Sequence, residues 1–323
     1  MKIVVFGAGA VGGVIGGRLF QHADRHGHDV ALVARGAHHD AIRDQGLTIH
    51  DPDGTVVLPV PVADRIDAID LGAGDVVILA MKTQDTPGAL AALADHAPDV
   101  AVACAQNGVE NERLALRQFA DVYGICVMLP ATFMDPGVVD ANGAPHNAIL
   151  DVGRYPLGVD PTAAAVAAAF EASGLVSTPQ PAIMRFKYRK LTMNLANLLD
   201  ALVSDRDGIG ALHKRATAEA EACFAAAGID CATMEEDRER RHGLLAITPI
   251  DGRKRGGGST YQSFARGATV NEIDWLNGEI VLLGRLHGVP TPVNSMLQQL
   301  ARTAAAEHRA PRSLTTQEIE ALV

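Results

Sequence analysis

The chain has 323 residues, of which 48% are hydrophobic, and its formal net charge is −10. This length suggests two domains of roughly 150 residues each, and the apolar fraction is enough for a large core without disulfides or a structural metal. The negative charge argues against nucleic acid or an anionic membrane as a partner, because both attract basic surfaces.

The cellular location and the presence of a metal site can be considered from a few features of the sequence. The four cysteines form no Cys-x-x-Cys pair, so we expect buried free thiols in a reducing cytoplasm. A strand is predicted from Lys2, so we expect no signal peptide, and no apolar run reaches the roughly 18 residues of a membrane helix. His22 and His26 have i, i+4 spacing, but Gly27 follows as a helix stop. We interpret them as a solvated helix end and predict no metal site.

In the first half of the chain, short β-rich runs alternate with helical stretches. Strands are predicted at 3–7, 30–34, 75–81 and 100–106, followed by helices at 11–22, 37–45, 86–96 and 110–119. Continuous apolar strands that alternate with helices predict an α/β fold with a Rossmann-type, doubly wound parallel sheet. The stretch 122–152 predicts antiparallel strands, with turns at Pro136-Gly137 and Asn142-Gly143.

The first strand leads into a glycine-rich turn, Gly7-x-Gly9-x-x-Gly12, just before the first helix. In this strand–turn–helix context the motif predicts a dinucleotide site. Gly7 would allow the tight turn, Gly9 the approach of the backbone to a pyrophosphate, and Gly12 the close packing of helix on strand. The predicted cofactor-binding residues of the turn are Gly7, Ala8, Gly9, Ala10, Val11 and Gly12.

The end of the second strand indicates which dinucleotide binds. Arg35 stands there with no acid beside it, whereas an NAD site usually has an acid for the ribose hydroxyls. A guanidinium can hold a 2′-phosphate in a fork, so we predict NADP(H). Lys82 and Asn107 follow the third and fourth strands, where such sheets bind ligands. Lys82 would reach a phosphate or ribose, and Asn107 the nicotinamide ribose or the substrate.

After residue 180 the chain becomes mostly helical, which predicts a helical substrate domain, 181–323, after a cofactor-binding domain, 1–180. Apolar residues have helical spacing over 182–204, 210–227, 270–287 and 293–309, and the glycine-rich stretch 251–260 predicts a flexible loop. The leucine-rich C-terminal helices would either pair two copies in a homodimer or form the core of one.

One helix of this half carries a polar stripe. Lys190, Asn194 and Asn197 are spaced i, i+4 and i+7 on a helix otherwise rich in leucine, which places them on one face. That face points either to water or to a polar cavity. Glu272 lies in the first turn of the helix predicted over 270–287, where an acid is either a partner of the helix dipole or a catalytic group.

Together these segments resemble the ketopantoate reductase (2-dehydropantoate 2-reductase) family. The segments that carry the resemblance, in the family's order, are KIVVFGAGAVGG, VALVAR, MKTQ, QNGVEN, KLTMNLAN and EIDWLNGEIVLLGRLHGVPTPVN. The resemblance implies an NADPH-dependent reductase of a 2-keto acid, with 2-dehydropantoate, a precursor of pantothenate and coenzyme A, as the first candidate substrate.

The resemblance also implies roles for single residues. Lys190 matches the catalytic lysine and Glu272 the glutamate on the substrate side. Arg35 matches the arginine that binds the 2′-phosphate, and Lys82 a lysine near the cofactor. The implied substrate-binding residues are Asn107, Asn194, Asn197, Ser259 and Thr260. This suits the chemistry, because hydride addition builds negative charge on the carbonyl oxygen, which an ammonium can stabilise and protonate.

Several positions depart from the family pattern, all in the substrate half. A serine pair of the family appears as Ser259-Thr260, which keeps both hydroxyls but changes the bulk. Leu198 stands in place of an asparagine, Phe264 in place of an aspartate, and Asn271 in place of a threonine. Two alternatives to a 2-dehydropantoate reductase therefore stay open. One is a reductase of a different keto acid or ketone, and the other is a module that binds NADPH without turnover.

Overall fold

The computed structural model of the chain describes residues 1–205, 208–268 and 272–322, so the departure at Asn271 lies outside the described residues. In chain order the strands are β1 (Lys2–Phe6), β2 (Asp29–Val33), β3 (Leu47–Asp51), β4 (Gly54–Leu58), β5 (Val62–Ala63), β6 (Val76–Leu79), β7 (Ala101–Cys104), β8 (Val122–Met128), β9 (Ala131–Thr132), β10 (Val138–Ala141), β11 (Gly143–Pro145), β12 (Ile149–Arg154) and β13 (Leu245–Ile247).

The helices are α1 (Ala10–Gln21), α2 (Ala23–His26), α3 (Gly36–Gln45), α4 (Thr86–His96), α5 (Asn111–Leu116), α6 (Pro161–Ala172), α7 (Ile183–Asn194), α8 (Asn197–Leu202), α9 (Ile209–Ala227), α10 (Met234–Arg241), α11 (Ser259–Ala265), α12 (Asn277–His287), α13 (Pro292–Ala306) and α14 (Thr316–Glu320). Short 3-10 helices cover Ile66–Ala68, Thr83–Asp85 and Glu272–Trp275. Within the described residues, no helix has both the length and the apolar character to cross a membrane.

The chain divides into two compact units, 1–187 with 235–255, and 188–234 with 256–323. This differs from the predicted boundary after residue 180, because the division falls within α7 and the segment 235–255 returns to the first unit. Antiparallel pairing of β11 with β13 holds the returning segment. Arg240 also donates to the Asp151 carboxylate over 2.5 and 2.7 Å. Pairing between distant segments leaves no mark on local periodicity, which explains why the sequence prediction did not include this return.

The first unit is built on a seven-stranded sheet with the order β12-β8-β7-β6-β1-β2-β5. β1 pairs in parallel with β2 on one side and with β6 on the other, and the parallel pairing continues through β7 to β8. The chain thus adds strands on one side of β1 and then crosses to the other. Doubly wound sheets bind ligands at the carboxyl ends of the strands where the order reverses in this way. The predicted Rossmann-type fold is confirmed.

Apolar side chains cover both faces of this sheet. Ile3 and Val5 of β1 are fully buried in a cluster that includes residues of α1, while Val4 between them is fully buried in a second cluster with residues of α4. Successive side chains of a strand point to opposite faces. A strand buried on both faces therefore has the continuous apolar sequence that predicted it.

A second, four-stranded sheet has the order β4-β3-β10-β9. Its hairpin of β3 and β4 was not predicted. The predicted antiparallel pairing within 122–152 is present between β8 and β12 and between β9 and β10. However, β8 also pairs in parallel with β7, and β10 in parallel with β3. The region therefore contributes strands to three sheets, with β11 in the two-stranded one, whereas the sequence predicted only antiparallel strands.

The second unit is helical, as predicted, but two of its helices are interrupted. The helix predicted over 182–204 is divided into α7 and α8 by a turn at Leu195 and Ala196. Nδ2 of the fully buried Asn277 donates to the freed carbonyl oxygen of Leu195 over 3.3 Å, and to Oδ1 of Asn294 over 3.0 Å. Residues 270 and 271 of the helix predicted over 270–287 lie outside the described residues. In its described part, Glu272–Trp275 form a separate 3-10 helix, and α12 starts at Asn277.

Candidate active site

The turn between β1 and α1 contains the three glycines of the motif, and their surroundings differ. Gly7 has a φ of +101°, and a Cβ there would lie 2.6 Å from the nitrogen of Met81. A Cβ on Gly12 would lie 2.0 Å from the carbonyl oxygen of Gly7, whereas a Cβ on Gly9 would meet nothing within 4 Å. Gly7 and Gly12 therefore permit close packing. Gly9 borders open space at the N-terminus of α1, which suits the approach of a phosphate.

Arg35 lies at the end of β2, directly before α3. Its side chain is 75% exposed, and its guanidinium lies 3.4 Å from the Asp85 carboxylate, which is itself 43% exposed. Asp85 ends the 3-10 helix that follows Lys82. The contact therefore brings the segments after β2 and β6 together at one edge of the sheet. An exposed guanidinium with one long contact can turn to a 2′-phosphate at little cost.

Asn107 follows β7, is half-buried, and stands beside a buried network of side chains. Nε2 of Gln106 donates to the Thr86 hydroxyl over 2.8 Å, and that hydroxyl donates to Oδ1 of Asn111 over 2.8 Å. Nδ2 of Asn111 donates in turn to the Thr83 hydroxyl over 3.1 Å. The polar segments after β6 and β7 are thus tied to each other, because buried polar groups of this kind are stable only when paired.

A buried ion pair in the first unit was not predicted from the sequence. Nζ of Lys187 lies 2.6 Å from Oε1 of Glu112, and the two side chains are 2% and 0% exposed. The ammonium also donates to the carbonyl oxygens of Cys104, Gln106 and Ile125 over 3.0–3.3 Å. Burial raises the pKa of the Glu112 carboxyl, and the Lys187 ammonium opposes that shift. One cation thus joins α7 to the carboxyl end of β7 and to β8.

In the second unit, Lys190 and Asn194 lie one helical turn apart in α7. Lys190 is half-buried and Asn194 is buried. Nδ2 of Asn194 has no hydrogen-bond partner among the described residues. A buried amide without a partner costs about 1–3 kcal/mol unless water or a ligand meets it. Asn197 begins α8, so the turn before it interrupts the continuous polar stripe that the sequence predicted.

Ser259 and Thr260 form the start of α11, which packs against α8. Asp200 in α8 accepts a hydrogen bond from the N–H of Gly258, directly before α11, over 3.3 Å. The predicted substrate residue Asn197 and this hydroxyl pair thus lie on adjacent helices. The departures Leu198 and Phe264 lie on the same two helices and are both buried.

Glu272 is half-buried and opens the 3-10 helix before α12. The prediction that it lies in the first turn of an α-helix is therefore wrong. Asp274, two residues later, accepts hydrogen bonds from Gln298 and Arg302 of α13 over 2.7 Å each. These contacts fix the short helix that carries Glu272.

The sequence predicted buried free thiols and a helix end at His22 and His26. Cys104, Cys126 and Cys223 are buried, Cys231 is half-buried, and all four are free. Both ring nitrogens of His26 have hydrogen-bonding partners, the carbonyl oxygen of Leu19 at 2.9 Å and the N–H of His28 at 3.1 Å. His26 therefore binds the backbone of α1 on one side and of His28, just after the end of α2, on the other.

Known proteins resemble the chain along almost all of its length. It matches the family model of ketopantoate reductase PanE/ApbA over residues 3–155, and the model of that family's C-terminal part over residues 182–305. A 2-dehydropantoate 2-reductase of Pyrococcus horikoshii is 28% identical over 312 residues, which cover 94% of this chain and 97% of that protein. One of Halobacterium salinarum is 28% identical over 318 residues, covering 94% and 99%.

Solved structures share the fold. The crystal structure of a PanE/ApbA family ketopantoate reductase from Ralstonia eutropha is 28% identical with a TM-score of 0.79, covering 96% of this chain and 100% of that one. A ternary structure of D-mandelate dehydrogenase with NADH and anilino(oxo)acetate is 23% identical with a TM-score of 0.79 and the same coverage.

Proposed function

The chain belongs to the ketopantoate reductase family, and on that premise we propose that it reduces 2-dehydropantoate to pantoate with NADPH. It is an NADP-dependent oxidoreductase that acts on CH–OH groups. The observation that carries the proposal is the glycine-rich turn at the point where the strand order reverses, with Gly9 at open space.

The first unit would hold the cofactor. The N–H groups at Gly9 and Ala10 would meet the pyrophosphate at the N-terminus of α1, where the helix dipole favours negative charge. Arg35 would hold the 2′-phosphate, and Lys82 and Asn107 would contact a phosphate or the riboses. When bound, NADPH supplies the hydride.

The proton-transfer chemistry belongs to Lys190 and Glu272. Negative charge develops on the carbonyl oxygen as the ketone is reduced, and the Lys190 ammonium stabilises that charge and donates the proton. Glu272 orients the lysine and accepts a hydrogen bond from a substrate hydroxyl. Asn194, whose Nδ2 is buried without a partner among the described residues, is suited to donate to the substrate carboxylate. Asn197, Ser259 and Thr260 complete the proposed substrate contacts.

A second candidate is a reductase of a larger or more apolar 2-keto acid. Leu198 and Phe264 favour it, because both are apolar where the family pattern is polar, and they lie on the adjacent helices α8 and α11. Neither residue bears on the cofactor half, so the reaction type is the same for both candidates.

The decisive experiment follows NADPH absorbance with 2-dehydropantoate and purified protein. Consumption of NADPH with formation of an equal amount of pantoate supports the proposal. Tight NADPH binding, measured by titration, without turnover of any 2-keto acid would contradict it and would favour a module that only senses NADPH.

A further inference from the structure

His38 lies in the first turn of α3, and both of its ring nitrogens are hydrogen-bonded to the backbone. Nε2 lies 2.7 Å from the carbonyl oxygen of Ala8. Nδ1 accepts a hydrogen bond from the N–H of Gly137 over 2.9 Å. Because a carbonyl can only accept and a backbone N–H can only donate, Nε2 must carry the proton and Nδ1 must not. The two contacts therefore define a neutral ring in a single tautomer.

The surroundings of the ring keep it in that state. The His38 ring packs against the ring of Phe133, with centroids 4.5 Å apart. Burial lowers the pKa of His38, which favours the neutral form. The side chain thus bridges the glycine-rich turn and the loop before β10, in a position where it can act as a fixed donor to Ala8.

Ala8 is the residue between the first two glycines of the motif, and both of its backbone polar groups are held. Its N–H donates to the carbonyl oxygen of Val33 at the end of β2 over 3.2 Å. Its carbonyl oxygen is the group that His38 binds. In a trans peptide, the carbonyl of one residue and the N–H of the next point in opposite directions. Holding the Ala8 carbonyl toward α3 therefore aims the N–H of Gly9 away from α3.

Gly9 is the N-cap residue of α1, and a Cβ built on it would meet nothing within 4 Å, so the residue borders open space. The carbonyl oxygen of Gly9 is also fixed, because it accepts a hydrogen bond from the Gly13 N–H over 2.7 Å. The peptide groups on both sides of Gly9 are therefore held before any ligand arrives. A donor fixed in advance loses less conformational freedom on binding than a mobile one.

We propose that His38 is a positioning residue for the dinucleotide, which it serves by holding the Ala8–Gly9 peptide so that the Gly9 N–H points at the pyrophosphate. The inference rests on the proposed function, since it takes the turn as the pyrophosphate site. His38 acts through this peptide and does not touch the cofactor.

The test measures dissociation constants for two ligands by calorimetric titration of the full chain. NADPH carries the pyrophosphate, whereas adenosine 2′-monophosphate carries the 2′-phosphate alone. His38→Ala should weaken NADPH binding about tenfold or more, the scale of one hydrogen bond to a charged group, and leave the binding of adenosine 2′-monophosphate unchanged. His38→Gln should restore most of the affinity, because its amide can donate to Ala8 and accept from Gly137 without a ring.

Two controls separate this inference from the proposed function. Arg35→Ala should weaken the binding of both ligands. Gly9→Ala, which places a Cβ in open space, should fold normally and weaken the binding of NADPH alone. If Gly9→Ala leaves NADPH affinity unchanged, the turn is not the pyrophosphate site and both proposals are overturned.

The inference alone is overturned if Gly9→Ala weakens NADPH binding and His38→Ala does not, or if His38→Ala weakens the binding of both ligands equally. Should His38→Ala not fold, His38→Phe retains a ring against Phe133 but cannot hydrogen-bond. NADPH affinity in His38→Phe equal to that in His38→Gln would then contradict the proposal, and a tenfold weaker affinity would support it.

Discussion

Lys190 is the single side chain on which the proposed chemistry depends most. Lys190→Ala removes an interaction that strengthens as charge develops on the carbonyl oxygen. We therefore expect kcat to fall by about 10²–10⁴-fold while the Kd for NADPH stays near its original value. Lys214→Ala, which changes an exposed lysine of α9, is the matched control and should leave both unchanged. A folded Lys190→Ala protein with full turnover would contradict the catalytic role and would favour the alternative that this face of the helix only points to water.

Asn194 and Glu272 should give different kinetic signatures. An amide that orients the substrate acts before and during the reaction, so Asn194→Ala should mainly raise KM. Glu272 would contact both the substrate and Lys190, so Glu272→Ala should lower kcat and raise KM together. Steady-state kinetics over a range of substrate concentrations separates the two outcomes. A pure kcat effect in Asn194→Ala would instead indicate a contact made only in the transition state.

The exposed guanidinium of Arg35 should set the cofactor preference. We expect NADPH to bind more tightly than NADH by about 1–2 kcal/mol, the scale of one charge-assisted hydrogen bond, and Arg35→Ala to narrow that gap. Arg43→Ala, which changes an exposed arginine within α3, should leave the difference between the two cofactors unchanged. Equal dissociation constants for the two cofactors in the unmutated protein would contradict the assignment.

The site residues proposed from the sequence, which stay predictions, are those that a local pattern marks. The glycine turn and Arg35 stand at fixed places beside a strand, and Lys190 and Asn194 are one helical turn apart. Lys187 was missed because its buried partners lie more than 60 residues away. A signal was present, however. Lys187 lies four residues from Ile183 and four from Leu191, on the fully buried face of α7.

At the scale of elements, the ion pair of Lys187 in α7 and Glu112 in α5 links two helices. The same ammonium also links α7 to the sheet through the carbonyl oxygens of Cys104 and Ile125. Lys187→Met would leave a carboxylate buried without its cation, and we expect the free energy of unfolding to fall by about 3–5 kcal/mol at pH 7. Removing the cation raises the pKa of Glu112 further. Protonation then relieves the cost, so stability should be highest below the ordinary glutamate pKa of about 4.3 and should fall as pH rises.

Urea unfolding at several pH values measures this effect. The double variant Lys187→Met with Glu112→Gln is the control, because it buries no charge and should lose the pH dependence. A loss in Lys187→Met that is the same at pH 5 and pH 8 would show that lost packing, and not the unpaired carboxylate, is responsible.

Helices and strands could be predicted from the sequence where residues within one short segment determine them. The helix predicted at 86–96 has the bounds of α4, because Pro87 starts it and its apolar spacing is regular. The β3–β4 hairpin was missed although Asp51-Pro-Asp-Gly54 is a recognisable turn. The division between α7 and α8 had no such signal, because it depends on Asn277, 82 residues from Leu195.

At the scale of the whole molecule, the first unit contains the cofactor motif, and the departures that bear on substrate choice lie in the second. The first resembles its family throughout the cofactor motif, and the departures at Leu198 and Phe264 fall in the second. We expect 2-dehydropantoate to be preferred over larger or apolar 2-keto acids by less than about 100-fold in kcat/KM, since contacts with an apolar pocket separate related substrates by only roughly 10–200-fold. A panel assayed with NADPH gives the ratio. A much wider margin would show that the departures are neutral.

The return of residues 235–255 to the first unit has a consequence for how the protein is made. A ribosome releases the chain from its N-terminus at about 5–20 residues per second. When Lys187 emerges, the partner strand of β11 and the arginine that binds Asp151 have not yet been synthesised. Roughly 70 further residues, or about 4–14 s of translation, must follow before the nucleotide-binding unit can close. Residues 188–234 of the second unit are therefore synthesised before the first unit has all of its residues.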